Sequence, residues 1–134
     1  HLLDLTAAIL DPGAEARQVI AERGLKAARL RAVLEAMDRR YRDPAFDVGE
    51  IAAELGISPR SVQRLMEETG KSFTQHLMER RLEGARTMLS DPAYSQHRIV
   101  EIALATGFSD VSHFNRMFRR HFGDTPSGLR TSGD

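Results

Sequence analysis

Two clusters of hydrogen-bonding side chains stand out in this chain. One is Arg60, Ser61, Gln63 and Arg64; the other, half a chain later, is Ser112, His113 and Arg116, with Val111 ahead of it and Arg119 and Arg120 behind. A guanidinium fork donates two parallel hydrogen bonds in one plane, which suits phosphate, carboxylate or the O6/N7 edge of guanine. A Gln amide suits the corresponding edge of adenine, and a Val can meet a thymine methyl. Such sets recognise a surface; they do not break bonds. Chemistry that breaks bonds finds little support. His76, His97, His113 and His121 have no metal-ligand spacing such as H-E-x-x-H, no G-x-S-x-G or phosphate-cradling glycine loop occurs, and the adjacent carboxylates Glu67 and Glu68 fall on a helix exterior.

The elements that carry the two clusters repeat. Ile51-Ala52 runs through Gly56 into Ser58, Val62 and Arg64, and Ile102-Ala103 runs through Gly107 into Asp110, Phe114 and Arg116. The offset is 51 residues at the start and 52 at the end, because the second copy has one more residue between its Gly and its cap. Each copy reads as a short helix, a Gly turn and a capped helix bearing the Arg. That is a helix-turn-helix, and a tandem pair implies reading duplex DNA twice along one face.

The rest of the chain reads as helical, with apolar residues at helical spacing and no alternating β-branched run. Leu2, Leu5 and Ile9 form a stripe that stops at Asp11-Pro12-Gly13. The polar, Ala-rich residues 14–24 read as a linker ending at Gly24, so that 1–24 is expected to be the tail of an upstream domain plus a linker. A helix is expected over 25–41, burying Leu30, Val33, Leu34 and Met37 and ending before Asp43-Pro44. Asp47 caps a helix over 48–55 and Ser58, with Pro59 in the first turn, caps one over 58–69. The longest helix is expected over 72–89, with Phe73, Leu77, Leu82, Ala85 and Leu89 inward, and its Arg80, Arg81 and Arg86 solvated or paired within the protein. After a loop come helices over 98–106 and 110–121, then a last short helix from Thr125-Pro126 that fades by Arg130. The expected divisions are 1–24, 25–90 for the first unit with its connecting helix, and 91–134 for the second unit.

Composition bounds the rest. Nineteen Lys and Arg balance 19 Asp and Glu, and there is no cysteine, so disulfides and thiolate zinc sites are excluded. The balance hides an asymmetry: residues 1–25 hold Arg17 and Arg23 against Asp4, Asp11, Glu15 and Glu22, whereas 97–130 hold Arg98, Arg116, Arg119, Arg120 and Arg130 against Glu101, Asp110 and Asp124. Phosphate meets the local field and not the average. No run approaches the roughly 18 apolar residues of a membrane span. The start at His1 fits a piece of a longer protein.

With these residues in place, about residues 26–131, and most closely 58–89 and 97–130, resemble the DNA-binding domain of the AraC/XylS family of bacterial transcription regulators. The specific part is I-A-x-x-x-G-F-x-D-x-S-x-F-x-R-x-F followed by G-x-x-P-x-x-x-R, met by Ile102, Ala103, Gly107, Phe108, Asp110, Ser112, Phe114, Arg116, Phe118, Gly123, Pro126 and Arg130. Gly128 and Leu129 depart from it, where a helix former and an aromatic are usual. The opening HLLDLTAAIL resembles the last helix of the effector-binding domain that precedes such a unit. The resemblance implies an all-α, homeodomain-like fold of about seven helices, two helix-turn-helix subdomains joined by one long helix. It implies base contacts at Arg60, Arg64, Val111, Ser112, His113 and Arg116, with Ser61 and Gln63 on the same exposed face and Arg119 and Arg120 placed for phosphate. No cofactor, metal or membrane is expected. The expected partners are double-stranded DNA and RNA polymerase, in a bacterial cytoplasm, with the fragment monomeric and the full-length protein a homodimer through its missing domain. The rival class, a helix-turn-helix reused as a protein-interaction module, requires apolar reading faces.

Overall fold

The structure, a computed structural model, describes residues 12–132, and every regular element among them is helical. Seven α-helices follow in order: α1 Ala14–Arg40, α2 Val48–Leu55, α3 Pro59–Glu67, α4 Phe73–Ser90, α5 Ile99–Ala105, α6 Val111–Phe122 and α7 Pro126–Ser132, with a 3-10 turn at Pro92–Tyr94. Among the described residues no helix is long and apolar enough to cross a membrane, and no three His, Asp or Glu side chains are grouped to hold a metal.

Local sequence fixes most boundaries. Asp47 accepts from the Glu50 amide, and Ser72 and Gln75 close a reciprocal capping box that starts α4. Gly56 and Gly107 stand at positive φ (67° and 97°), and in each copy the next amide reaches back to an alanine carbonyl, Ile57 to Ala52 and Phe108 to Ala103, at 3.0 Å. The repeat is therefore in register through the turn. The extra residue of the second copy is Ser109, between the turn and the Asp110 cap.

α1 differs from the sequence expectation. It starts at Ala14 and runs without a break through Gly24, so residues 14–24 are helix and not an irregular linker. Ala, Glu, Gln and Arg are strong helix formers, and Gln18 donates to Glu22 one turn on at 3.2 Å. Nothing lies within 4 Å of Gly24, so its lack of a side chain serves no contact. The expected stripe over Leu2, Leu5 and Ile9 lies outside the described residues. At the other end α7 continues to Ser132, past Arg130. Its two departures from the family pattern are accommodated: Leu129 packs on the second core, and the Asp124 carboxylate fills the space a side chain at 128 would need.

Two cores share α4. The first holds Val33, Ala36, Met37, Phe46, Ile51, Ala52, Val62 and Met66 with Phe73 and Leu77 of α4. The second holds Ile102, Ala103, Phe108, Phe114 and Phe118 with Leu82, Ala85, Met88 and Leu89 of α4. At 100° per residue, the two sets point about 110° apart around the helix axis. Core residues in the second unit are aromatic where the first has aliphatics: the Phe108–Phe114, Phe114–Phe118 and Phe118–Phe122 ring centroids lie 4.9, 5.5 and 4.6 Å apart.

Where the cores meet, one guanidinium joins three segments. Arg81 of α4 donates from Nε to the Tyr41 carbonyl (2.8 Å) and from Nη2 to the Asp43 carbonyl (3.0 Å), both in the loop after α1. The turn of the second unit closes over it, since a Cβ on Gly107 would come within 2.6 Å of Arg81 Nε and closer still to the Tyr41 carbonyl. Gly84 admits the Tyr41 ring, whose hydroxyl would lie 2.7 Å from a Cβ there. Burial lowers the Arg81 pKa, opposed by the charge of Asp43, but guanidinium stays ionised in proteins. Arg81→Met keeps the aliphatic stem and removes both charged hydrogen bonds; it is expected to cost about 2–4 kcal/mol in a denaturant titration, at roughly 1.5–3 kcal/mol for each bond to a charged group less partial solvation.

Candidate nucleic-acid interface

α3 and α6 are the second helices of the two units, and both are built to expose one face. Ser58 accepts from the Ser61 amide at 3.1 Å and Asp110 from the Ser112 amide at 2.9 Å, fixing where each helix begins. Val62, Leu65 and Met66 bury one side of α3, and Phe114 and Phe118 one side of α6. Arg60, Gln63 and Arg64 are left exposed on α3, and Ser112, Asn115, Arg116, Arg119 and Arg120 on α6.

The expected site residues do not all stand equally. Ser61 is half-buried, with its hydroxyl 2.9 Å from that of Ser58. That bond occupies the side chain in the cap. Val111 is half-buried and packs against the second core, not outward as its position in the motif suggests. His113 is half-buried with its ring edge-on to Phe108, centroids 6.1 Å apart. Of Val111, Ser112, His113 and Arg116, only Ser112 and Arg116 are exposed.

The arginines divide into two populations. Arg40 bridges Glu50 and Glu54 and lies over the Phe46 ring, Arg80 pairs with Asp38 at 2.7 Å, and Arg130 donates to the His97 and Tyr94 carbonyls at 2.8 and 3.2 Å. Arg86 lies over the Phe122 ring, 5.3 Å from its centroid, and Arg81 holds the junction described above. These are scaffold. Arg60, Arg64, Arg116, Arg119 and Arg120 have no hydrogen bond or ion pair with any described residue, and the same holds for Arg23, Arg29, Arg31 and Arg39 along α1. Sequence reasoning placed Arg80, Arg81 and Arg86 with the scaffold and the five of α3 and α6 at the interface, and it left out Lys26 and Arg29 of α1. Both line one hollow with Ser61, Arg64 and Glu68 of the first unit. Their signal was their spacing: 26, 29, 30, 33 and 37 share one helix face.

Helix boundaries and free cations on paired second helices define the unit geometrically, and comparison with known proteins agrees. A model described as a helix-turn-helix domain matches residues 51–132. The chain belongs to the AraC/XylS family. It is 41% identical over 94% of its length to the HTH-type transcriptional regulator GlxA of Rhizobium meliloti (strain 1021), covering 38% of that protein. A probable AraC family transcriptional regulator from Rhodopseudomonas palustris CGA009 superposes with a TM-score of 0.71 at 28% identity, covering 79% of this chain and 97% of that one. The DNA-binding domain of AdpA, a global transcriptional factor solved in complex with a target DNA, does so with a TM-score of 0.67 at 27% identity over 77% of this chain and 90% of that one. This chain thus spans between 28% and 38% of the first three curated relatives. AraC/XylS proteins of this kind are transcription regulators and not enzymes. Arg130, the last residue of the motif, clamps the 94–97 loop through its hydrogen bonds to the His97 and Tyr94 carbonyls.

Because the Asp110 carboxylate both caps α6 and meets the positive end of its dipole, Asp110→Ala is expected to cost about 0.5–2 kcal/mol of stability by thermal unfolding. Asp110→Asn, which keeps the cap, is expected to retain most of it.

Proposed function

We propose that this chain binds double-stranded DNA sequence-specifically and, as part of a longer regulator, sets the occupancy of a bacterial promoter. α3 and α6 are the recognition helices, entering successive major grooves. The carrying observation is the state of the arginines on the two capped helices: all five, Arg60, Arg64, Arg116, Arg119 and Arg120, are exposed and have no partner among the described residues. Unpaired guanidinium on a helix that fits the major groove suits base edges and phosphates, and it keeps its donors available. The DNA-bound state of AdpA, a structural relative, supports the same use of the fold. Exposed faces carrying Arg60, Gln63, Arg64 and Arg116 disfavour the protein-interaction reading, which needs apolar surface there.

In this proposal Arg60, Gln63, Arg64, Ser112 and Arg116 read bases, Val111 and His113 give apolar or weaker contacts, Ser61 acts through the cap, and Arg119 and Arg120 hold phosphate. α4, 18 residues long, supplies about 27 Å of spacer toward the ~34 Å of one duplex turn. Contact with RNA polymerase and dimerisation through a preceding domain complete the proposed regulator, working in the bacterial cytoplasm on the nucleoid.

Selection of bound duplexes from a random pool tests the assignment. Arg64→Ala and Arg116→Ala are each expected to cost about 1–3 kcal/mol on the selected site and to relax preference at one position. Arg120→Ala is expected to weaken all sequences alike and to flatten the salt dependence. Unchanged selected motifs for both Arg64→Ala and Arg116→Ala sink the base-reading role. A one-residue insertion in the middle of α4 turns the second unit by about 100° and is expected to abolish joint recognition of the two halves.

A further inference from the structure

The buried stripe of α1 changes character as the helix leaves the body. Met37, Val33 and Leu30 pack into the first core; one turn further toward the N-terminus the same face presents Arg29 and Lys26. Those two side chains line a hollow between α1 and α3 with Ile57, Ser61, Arg64, Leu65 and Glu68. Three cations there face a single carboxylate, for a local surplus of two positive charges. Lys26 Nζ lies 3.8 Å from Glu68 Oε1, with both side chains more than half exposed (63% and 54%), so that pair is weak and readily exchanged. Arg29 is half-buried and has no hydrogen bond or ion pair with any described residue. A guanidinium that has lost part of its water and gained no protein partner is a costly arrangement unless an anion completes it. The hollow opens beside α3 at Arg64, next to the face proposed above to enter the groove.

We infer that this hollow seats a backbone phosphate of the duplex, held by Arg29 and Lys26, so that α1 anchors the first recognition helix against the flanking strand. The inference rests on the DNA reading above. The anchor specifies no base; it fixes how α3 sits in its groove.

Fluorescence anisotropy of the whole chain with a duplex selected by the wild type, and with a scrambled one, tests it at 50 and 200 mM salt. Arg29→Gln is expected to weaken both duplexes by the same factor and to shrink the affinity lost between the two salt concentrations by about 3.5-fold, the share of one phosphate contact. Arg29→Lys is expected to restore the salt slope, which a purely structural role for the side chain would not produce. A neutral methylphosphonate placed in turn along the strand beside the first half-site is expected to weaken the wild type at one position and to weaken Arg29→Gln less there, the remainder being the Lys26 contact. Selective loss of wild-type affinity in phosphate over chloride of matched ionic strength, absent in Arg29→Gln, reports a free anion competing with the duplex for the hollow and supports the anchor; inorganic phosphate that binds at Arg29 without lowering duplex affinity marks a site for a free anion and overturns it. Sequence-specific binding by the wild type with an unchanged slope for Arg29→Gln overturns the anchor alone, whereas no duplex binding by the wild type overturns the DNA reading and the anchor together.

Discussion

A protein that reads one object with two units must hold them at a fixed angle, and here that duty falls on the junction around Arg81. The two cores are separate clusters, and hydrophobic burial is non-directional, so neither core sets the orientation of the other. Hydrogen bonds from Arg81 to the Tyr41 and Asp43 carbonyls, with Gly84 and Gly107 letting backbone and ring approach closely, supply the direction. The charge sits half-buried, which makes its geometry demanding: a guanidinium moved off those carbonyls loses both bonds without regaining full hydration. Gly107 thus serves two ends, the positive-φ turn of its own unit and clearance for the clamp of the other.

The shared helix follows from the same requirement. A flexible linker would fold two small units independently and leave their relative rotation free. One continuous α4 carries a face for each core, so side chains at 77 and 82, five positions apart, belong to different clusters. The aromatic ladder in the second unit buries a large area on few positions.

Much of this was legible in the sequence because it rests on local rules. Caps at Asp47, Ser58, Ser72 and Asp110, the Gly turns and the inward apolar positions of α4 are properties of neighbouring residues, and the structure places them where spacing puts them. The start of α1 was hidden for the converse reason. Residues 15–28 are exposed all round, so no apolar stripe announces the helix, and intrinsic propensity alone carries it. Long-range partners were equally hidden: nothing near Arg81 in sequence points to a carbonyl 40 residues away, and nothing near Arg130 points to the 94–97 loop. The interface residues were found by face and type, but half-burial of Ser61, Val111 and His113 depends on tertiary packing that periodicity does not contain.

The exposed first half of α1 has a mechanical consequence. Residues 15–25 extend the helix about 16 Å beyond the hollow lined by Lys26 and Arg29, at 1.5 Å per residue. A helical rod transmits torque, which a random-coil tether does not. A group rigidly joined to its far end would be indexed by residue count to the surface proposed to face DNA, each inserted or deleted position turning it through about 100°. In this region the number of residues therefore acts as a phase setting, and changes of about seven, 11 or 18 residues, close to whole numbers of turns, disturb that phase least.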